Sequence, residues 1–199
     1  MIRSALAPAD VKVVLFNKPY GVICQFRPAG EKRTLKEFVP VKDVYPVGRL
    51  DTDSEGLLLL TNDGALQNEV SRPDRKWPKS YWAQVENSPD EMALARLRNG
   101  VDLKEFVSAP ATVNQIAEPD DLWMRSPPIR TRRNIATSWL DITLTEGKNR
   151  QIRRMTAAVG LPTLRLIRYR IGPWTLSGLA PGSYRVLPPN ASSLAGRYL

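Results

Sequence analysis

Arg49 and Asp51 stand two residues apart in the run Tyr45-Pro46-Val47-Gly48-Arg49-Leu50-Asp51-Thr52-Asp53-Ser54-Glu55-Gly56, and four leucines, Leu57 to Leu60, follow at once. A carboxylate beside a permanent cation, at a glycine-bounded bend rooted in an apolar run, is costly to hold unless it has a firm partner or chemistry to perform. Aspartate in such a place can serve as a nucleophile or as a base, and a nearby arginine would aim it. By alternation Asp53 shares the face of Asp51, and Glu55 is close, so spacing alone does not choose among them. An aspartate that caps a turn has the same local signature.

A second segment, Glu146-Gly147-Lys148-Asn149-Arg150-Gln151-Ile152-Arg153-Arg154-Met155, places Lys148, Arg150, Arg153 and Arg154 within seven positions. Cations at this density repel one another unless phosphates or a carboxylate answer them. One of them is therefore expected to pair with Asp51. Gln151 sits among them as an amide able to cap a backbone or a base edge. Tyr81, in Lys79-Ser80-Tyr81-Trp82, is the third candidate. A strand tyrosine is a core residue by default, and its functional alternative is a platform on which an unstacked base lies. Trp77, Trp82, Trp123, Trp139 and Trp174 admit the same two readings.

Composition narrows the chemistry. The 199 residues include no histidine, so histidine bases, Ser-His-Asp and Cys-His triads and His-ligated metals are all excluded. Cys24 is the one cysteine, which rules out an internal disulfide and a cysteine-rich zinc site. Metal-ligand spacings and phosphate-binding glycine loops are not present, and neither a metal nor a cofactor is expected. Of the net charge of +9, residues 121–170 carry eight units, with eleven Lys/Arg against three acids, and ten of the eleven are arginine. Arginine suits forked phosphate contacts and stacking on bases, so the expected partner is a nucleic acid. A solvated basic face would look similar in composition. No apolar stretch approaches a membrane span and the N-terminus lacks the apolar core of a signal peptide, so a soluble cytoplasmic protein is expected.

These residues need elements to hold them. The sequence predicts a loose tail over 1–9, a strand over Val11 to Phe16, a strand buried on both faces over Leu57 to Thr61, and a short helix capped at Asn62-Asp63 running through Val70. Tyr81 to Val85 reads as a strand with Tyr81, Ala83 and Val85 on one face. Ser88-Pro89-Asp90-Glu91 reads as a capping box with Ser88 at the N-cap, Gly100 as the stop, and Met92, Leu94, Ala95 and Leu97 inward. The Pro- and Arg-rich residues 118–136 read as a surface loop. Thr137 to Leu144 reads as a strand, Asn149 to Val159 as a helix with Ile152, Met155 and Val159 buried, and Leu164 to Ile171 as a strand. Without a steady βαβ rhythm, the expected class is α+β. The length allows one good-sized domain or two small lobes.

Three motifs in this order resemble the RsuA-type pseudouridine synthases: Gly48-Arg49-Leu50-Asp51 with Ser54-Glu55-Gly56-Leu57-Leu58-Leu59-Leu60-Thr61-Asn62-Asp63-Gly64, then Lys79-Ser80-Tyr81, then Glu146-Gly147-Lys148-Asn149-Arg150-Gln151-Ile152-Arg153-Arg154-Met155. Phe16-Asn17-Lys18-Pro19-Tyr20-Gly21 matches as well, and the likeness is strongest to members acting on 23S ribosomal RNA. The resemblance implies an α+β fold with a mixed, mainly antiparallel sheet, flanking helices and a central cleft. It implies Asp51 as catalytic aspartate, Tyr81 as base-stacking tyrosine, Arg153 as the partner of Asp51, and Arg49 in the apparatus that flips the uridine out. Residues 10–199 would form the catalytic domain, with no separate N-terminal RNA-binding domain, acting as a monomer without cofactor. RNA contact is then expected from Arg49, Lys79, Arg130, Arg132, Arg133, Lys148, Arg150, Gln151, Arg154, Arg165 and Arg168. The alternative class is a non-catalytic RNA-binding or ribosome-assembly protein.

Overall fold

The computed structural model describes residues 10–129, 132 and 135–188. In chain order they form β1 (Val13–Lys18), β2 (Tyr45–Pro46), β3 (Glu55–Thr61), α1 (Gly64–Ser71), β4 (Lys79–Glu86), α2 (Glu91–Asn99), β5 (Thr112–Ile116), β6 (Thr137–Leu144), α3 (Gln151–Ala158), β7 (Thr163–Ile171), β8 (Trp174–Thr175) and β9 (Tyr184–Leu187). The fold is α+β. The described residues divide into two compact units, one of those before Lys76 and after Ile171, the other of those within Lys76–Ile171.

In the first unit β1 runs antiparallel between β3 and β9, and β2 pairs antiparallel with β3. The four leucines make β3 its central strand: every residue from Glu55 to Thr61 is buried, as an uninterrupted apolar run demands of a strand covered on both faces. On one face Val14 and Phe16 of β1 meet Leu60 and Leu58 of β3 in register, and Val22, Leu35, Val39 and Val44 cover them. Asp63 caps α1 by accepting from the Ala65 N–H at 2.8 Å.

In the second unit β4 runs antiparallel between β6 and β7, with β5 on the outer side of β6. Alternation sends Ala83 and Val85 of β4, Leu140, Ile142 and Leu144 of β6 and Leu166 of β7 to one face. There α2 contributes Leu94 and Leu97, and α3 contributes Ile152 and Met155. Tyr81 packs against the same cluster, as its spacing predicts.

Helix α2 departs from expectation at its start. The N-cap is Asp90, not Ser88: Asp90 has the extended backbone a cap requires, and its carboxylate accepts from the Ala93 N–H at 2.7 Å. Met92 is 75% exposed rather than inward. It precedes Leu94 by two residues, about 200° around the helix, so Ala93 takes the inward place instead. Gly100 ends the helix at φ +108, where an added Cβ would lie 2.5 Å from the Ser108 carbonyl oxygen.

Candidate active site

In the first unit the chain enters the Asp51 loop through Gly48, whose φ of +71 favours glycine. Arg49 is exposed, Leu50 is buried, and Asp51 and Asp53 are partly buried. The loop is tied at several points. Ser54 N–H donates to the Asp51 carbonyl at 3.0 Å, and Gly21 N–H donates to the Thr52 carbonyl at 2.8 Å. Cys24 and Leu50 exchange two further bonds: Leu50 N–H donates to Cys24 Sγ at 3.4 Å and the thiol donates to the Leu50 carbonyl at 3.3 Å.

Lys18, at the end of β1, is wholly buried, and its Nζ donates to the carbonyls of Val22 at 2.8 Å and Pro19 at 3.0 Å. Burial lowers its pKa to about 8, against the opposing pull of Cys24, Glu55, Asp53 and Asp51. A cation is thus stored within electrostatic reach of the Asp51 loop. Neither Lys18 nor Cys24 was among the expected site residues. The available signal is Asn17-Lys18-Pro19: a lysine two residues past the apolar run Val13 to Phe16, closing a strand buried throughout, must meet internal oxygens.

In the second unit Tyr81 lies in β4 opposite Ile142 of β6 and Arg168 of β7, next to a bulge at Ser80/Tyr81. Lys79 donates to the Trp77 carbonyl at 3.2 Å, and burial, reinforced by the like charge of Arg168, lowers its pKa to about 8. Helix α3 starts two residues later than expected, after Arg150, which holds a left-handed conformation (φ 47, ψ 33). Arg150 and Lys148 are exposed, with the Lys148 ammonium 3.9 Å from the centre of the Phe106 ring. Arg153 is partly buried and donates to the Thr163 carbonyl at 3.1 Å. Arg154 is engaged by Glu105 and the Leu103 carbonyl, each at 3.0 Å.

Three residues expected at an RNA-facing surface lie inside. Gln151 is 4% exposed: its Oε1 accepts from the Lys148 N–H at 3.0 Å, and its Nε2 donates to Glu146, whose Oε1 also accepts from the Ala109 N–H at 2.8 Å. Its amide closes the turn that leads into α3. Arg165 and Arg168 are each 4% exposed, drawn in by a strand whose neighbours are packed, and Arg165 lies 5.4 Å from the centre of the Trp123 ring. Arg132 is exposed and paired with Glu86 at 3.3 Å. Arg130 and Arg133 lie outside the described residues. Of the tryptophans, Trp77, Trp139 and Trp174 are buried, and Trp82 stacks on Tyr169 with ring centres 4.6 Å apart. Among the described residues, no group of three Cys, Asp or Glu side chains is placed to hold a metal ion, and no helix is long and apolar enough to cross a membrane.

A loop-held aspartate beside an exposed arginine, and a strand tyrosine beside an arginine-rich helix, accompany a match of residues 12–158 to the RNA pseudouridylate synthase family, and the chain belongs to that family. It is an RNA pseudouridine synthase by class. Within the class it is 51% identical over 183 residues to the ribosomal large subunit pseudouridine synthase E of Vibrio vulnificus (strain CMCP6), covering 92% of this chain and 78% of the relative. It is 52% identical over 176 residues to the protein of the same name from Xanthomonas campestris pv. campestris, covering 87% and 94% respectively. A solved crystal structure of a pseudouridylate synthase superimposes with a TM-score of 0.76 at 25% identity, covering 94% of this chain and 74% of that one.

Proposed function

We propose that the protein converts a uridine of the 23S ribosomal RNA to pseudouridine, with Asp51 as the catalytic carboxylate. The observation that carries this reading is the identity of 51–54% to four proteins named ribosomal large subunit pseudouridine synthase E. The substrate uridine leaves its stack at a cost of a few kcal/mol, offset by phosphate contacts and by stacking of the extruded base on Tyr81. Arg49 takes the place the base vacates. Asp51, answered by the guanidinium of Arg153, acts on the ribose, either as nucleophile at C1′ or as base at the 2′ carbon. The N1–C1′ bond breaks with its electron pair left on N1, and the uracil turns. C5 joins C1′ as Asp51 is displaced or the proton it took from the 2′ carbon is returned. The C5 proton passes to a base, for which Tyr81 is the candidate, while N1 ends protonated. Substrate and product have the same composition, so the reaction consumes no cofactor or energy donor.

Phosphates are met by Arg49, Lys148 and Arg150 together with the Arg130, Arg132 and Arg133 stretch, and the enzyme works as a cytoplasmic monomer. The test is Asp51→Asn assayed on transcribed 23S RNA. Turnover falls roughly 10³-fold or more while RNA affinity stays within about threefold. Pseudouridine formed by this variant at near the wild-type rate removes Asp51 from the chemistry. RNA binding by the wild-type protein with no pseudouridine formed favours the non-catalytic RNA-binding alternative.

A further inference from the structure

We infer that Cys24 is a positioning residue for catalysis: its thiol clasps the backbone of Leu50 and so fixes the angle at which the next residue, Asp51, presents its carboxylate. The inference rests on the reading of Asp51 as the catalytic group.

The geometry that carries it is the two-way exchange between Cys24 and Leu50. One sulfur accepts from the Leu50 N–H at 3.4 Å and donates to the Leu50 carbonyl at 3.3 Å, satisfying both polar backbone groups of that residue. One residue past Asp51, the Thr52 carbonyl is taken by Gly21 N–H at 2.8 Å. The segment 21–24 therefore grips the loop on either side of Asp51. That segment is itself anchored, because Ile23 N–H donates to the Arg33 carbonyl at 2.9 Å and Lys18 Nζ donates to the Val22 carbonyl at 2.8 Å. The side chain of Leu50 is buried, which fixes the residue laterally, while its N–H and carbonyl are both engaged by the thiol. A residue of any other type at position 24 leaves those groups seeking partners unless it can both donate and accept. Serine can; alanine and valine cannot.

A thiol hydrogen bond is weak, so the effect expected is on placement rather than on folding, and misplacing a reacting group by about 1 Å can cost about a hundredfold in rate. The experiment compares wild type, Cys24→Ala, Cys24→Val and Cys24→Ser in single-turnover pseudouridine formation on transcribed 23S RNA at saturating enzyme, with RNA affinity and melting temperature measured in parallel. Valine fills the thiol's space without a donor or acceptor, and so stands in should alanine loosen the fold. The expected result is a rate about tenfold lower for alanine and valine, with affinity within about twofold of wild type, and recovery of most of the loss by serine. A full rate in the alanine or valine variant overturns the inference. So does a loss of rate matched by a loss of affinity, or a serine variant as slow as alanine. Asp51→Asn, run alongside, separates the two claims. If it retains turnover, the reading of Asp51 fails, whereas an inactive Asp51→Asn beside a fully active Cys24→Ala removes the clasp alone.

Discussion

A lysine enclosed at the end of a core strand carries a measurable signature in stability. Lys18 is wholly buried, and its folded pKa of about 8 lies below its ordinary value of 10.5 because burial penalises the ammonium. Below pH 8 both folded and unfolded chains hold the proton, and the desolvation cost is felt in full. Between about pH 8 and 10.5 the unfolded chain binds more protons than the folded one, so Lys18 makes stability rise with pH across that window. Lys18→Met removes this contribution. Its loss of the bonds to Pro19 and Val22 shifts stability by a constant, while the slope identifies the charge. Denaturant midpoints measured from pH 7 to 10.5 should show wild type gaining on the variant as pH rises through 8. Parallel curves would mean that the ammonium is not held in a desolvated place. The same lysine also explains how several acids can crowd the loop after Gly48: a buried cation beneath them lessens their mutual repulsion.

At the level of elements, the turn into α3 joins a strained backbone to a candidate contact. Arg150 adopts left-handed dihedrals directly before the helix, where an L-residue other than glycine costs about 1–2 kcal/mol. Arg150→Gly should therefore leave folding stability unchanged or raise it by up to about 1 kcal/mol, since glycine accepts that conformation freely. It should weaken RNA binding by about threefold to tenfold if the guanidinium meets a phosphate. Denaturant melts and filter binding read the two effects separately. A marked loss of stability would show that the side chain, not the backbone, secures the turn, and unchanged affinity would take Arg150 off the RNA surface. What the sequence disclosed at this scale follows a clear division. The four leucines of β3, the alternation of β4 and the cap at Asp63 are local signals, and the elements they predict are present. Cys24 and Leu50 are separated by 26 residues, and nothing near either hints at the other. Gln151 reads as one more polar group in a basic run until Glu146 and Ala109 are seen to claim its amide and the acid beside it. Met92 is apolar, yet its angular position, about 200° from Leu94 around the helix, and not its hydrophobic type decides its side.

The net charge of +9 belongs to the whole molecule, yet the fold withholds part of it from a ligand. Of the cations in residues 121–170, Arg165 and Arg168 are buried and Arg154 is bound to Glu105. Lys148 and Arg150 remain exposed, as does Arg49 from the other unit. Counterion release counts the phosphates actually met, at about 0.7 in the slope of log K against log salt for each contact with single-stranded RNA. Contacts from Arg49, Lys148 and Arg150 plus the Arg130–Arg133 stretch amount to about three to six, and hence a slope of about −2 to −4. The full basic complement of the 121–170 segment would instead give about −8. Titrating transcribed 23S RNA across a range of potassium chloride concentrations distinguishes the two, and Lys148→Ala should flatten the slope by about 0.7. A slope near −8 would mean that the inward arginines come out to meet phosphate when RNA binds, so that the basic surface is assembled by the substrate. A slope near zero would detach the charge of this chain from RNA recognition altogether, leaving stacking and base-edge contacts to carry affinity.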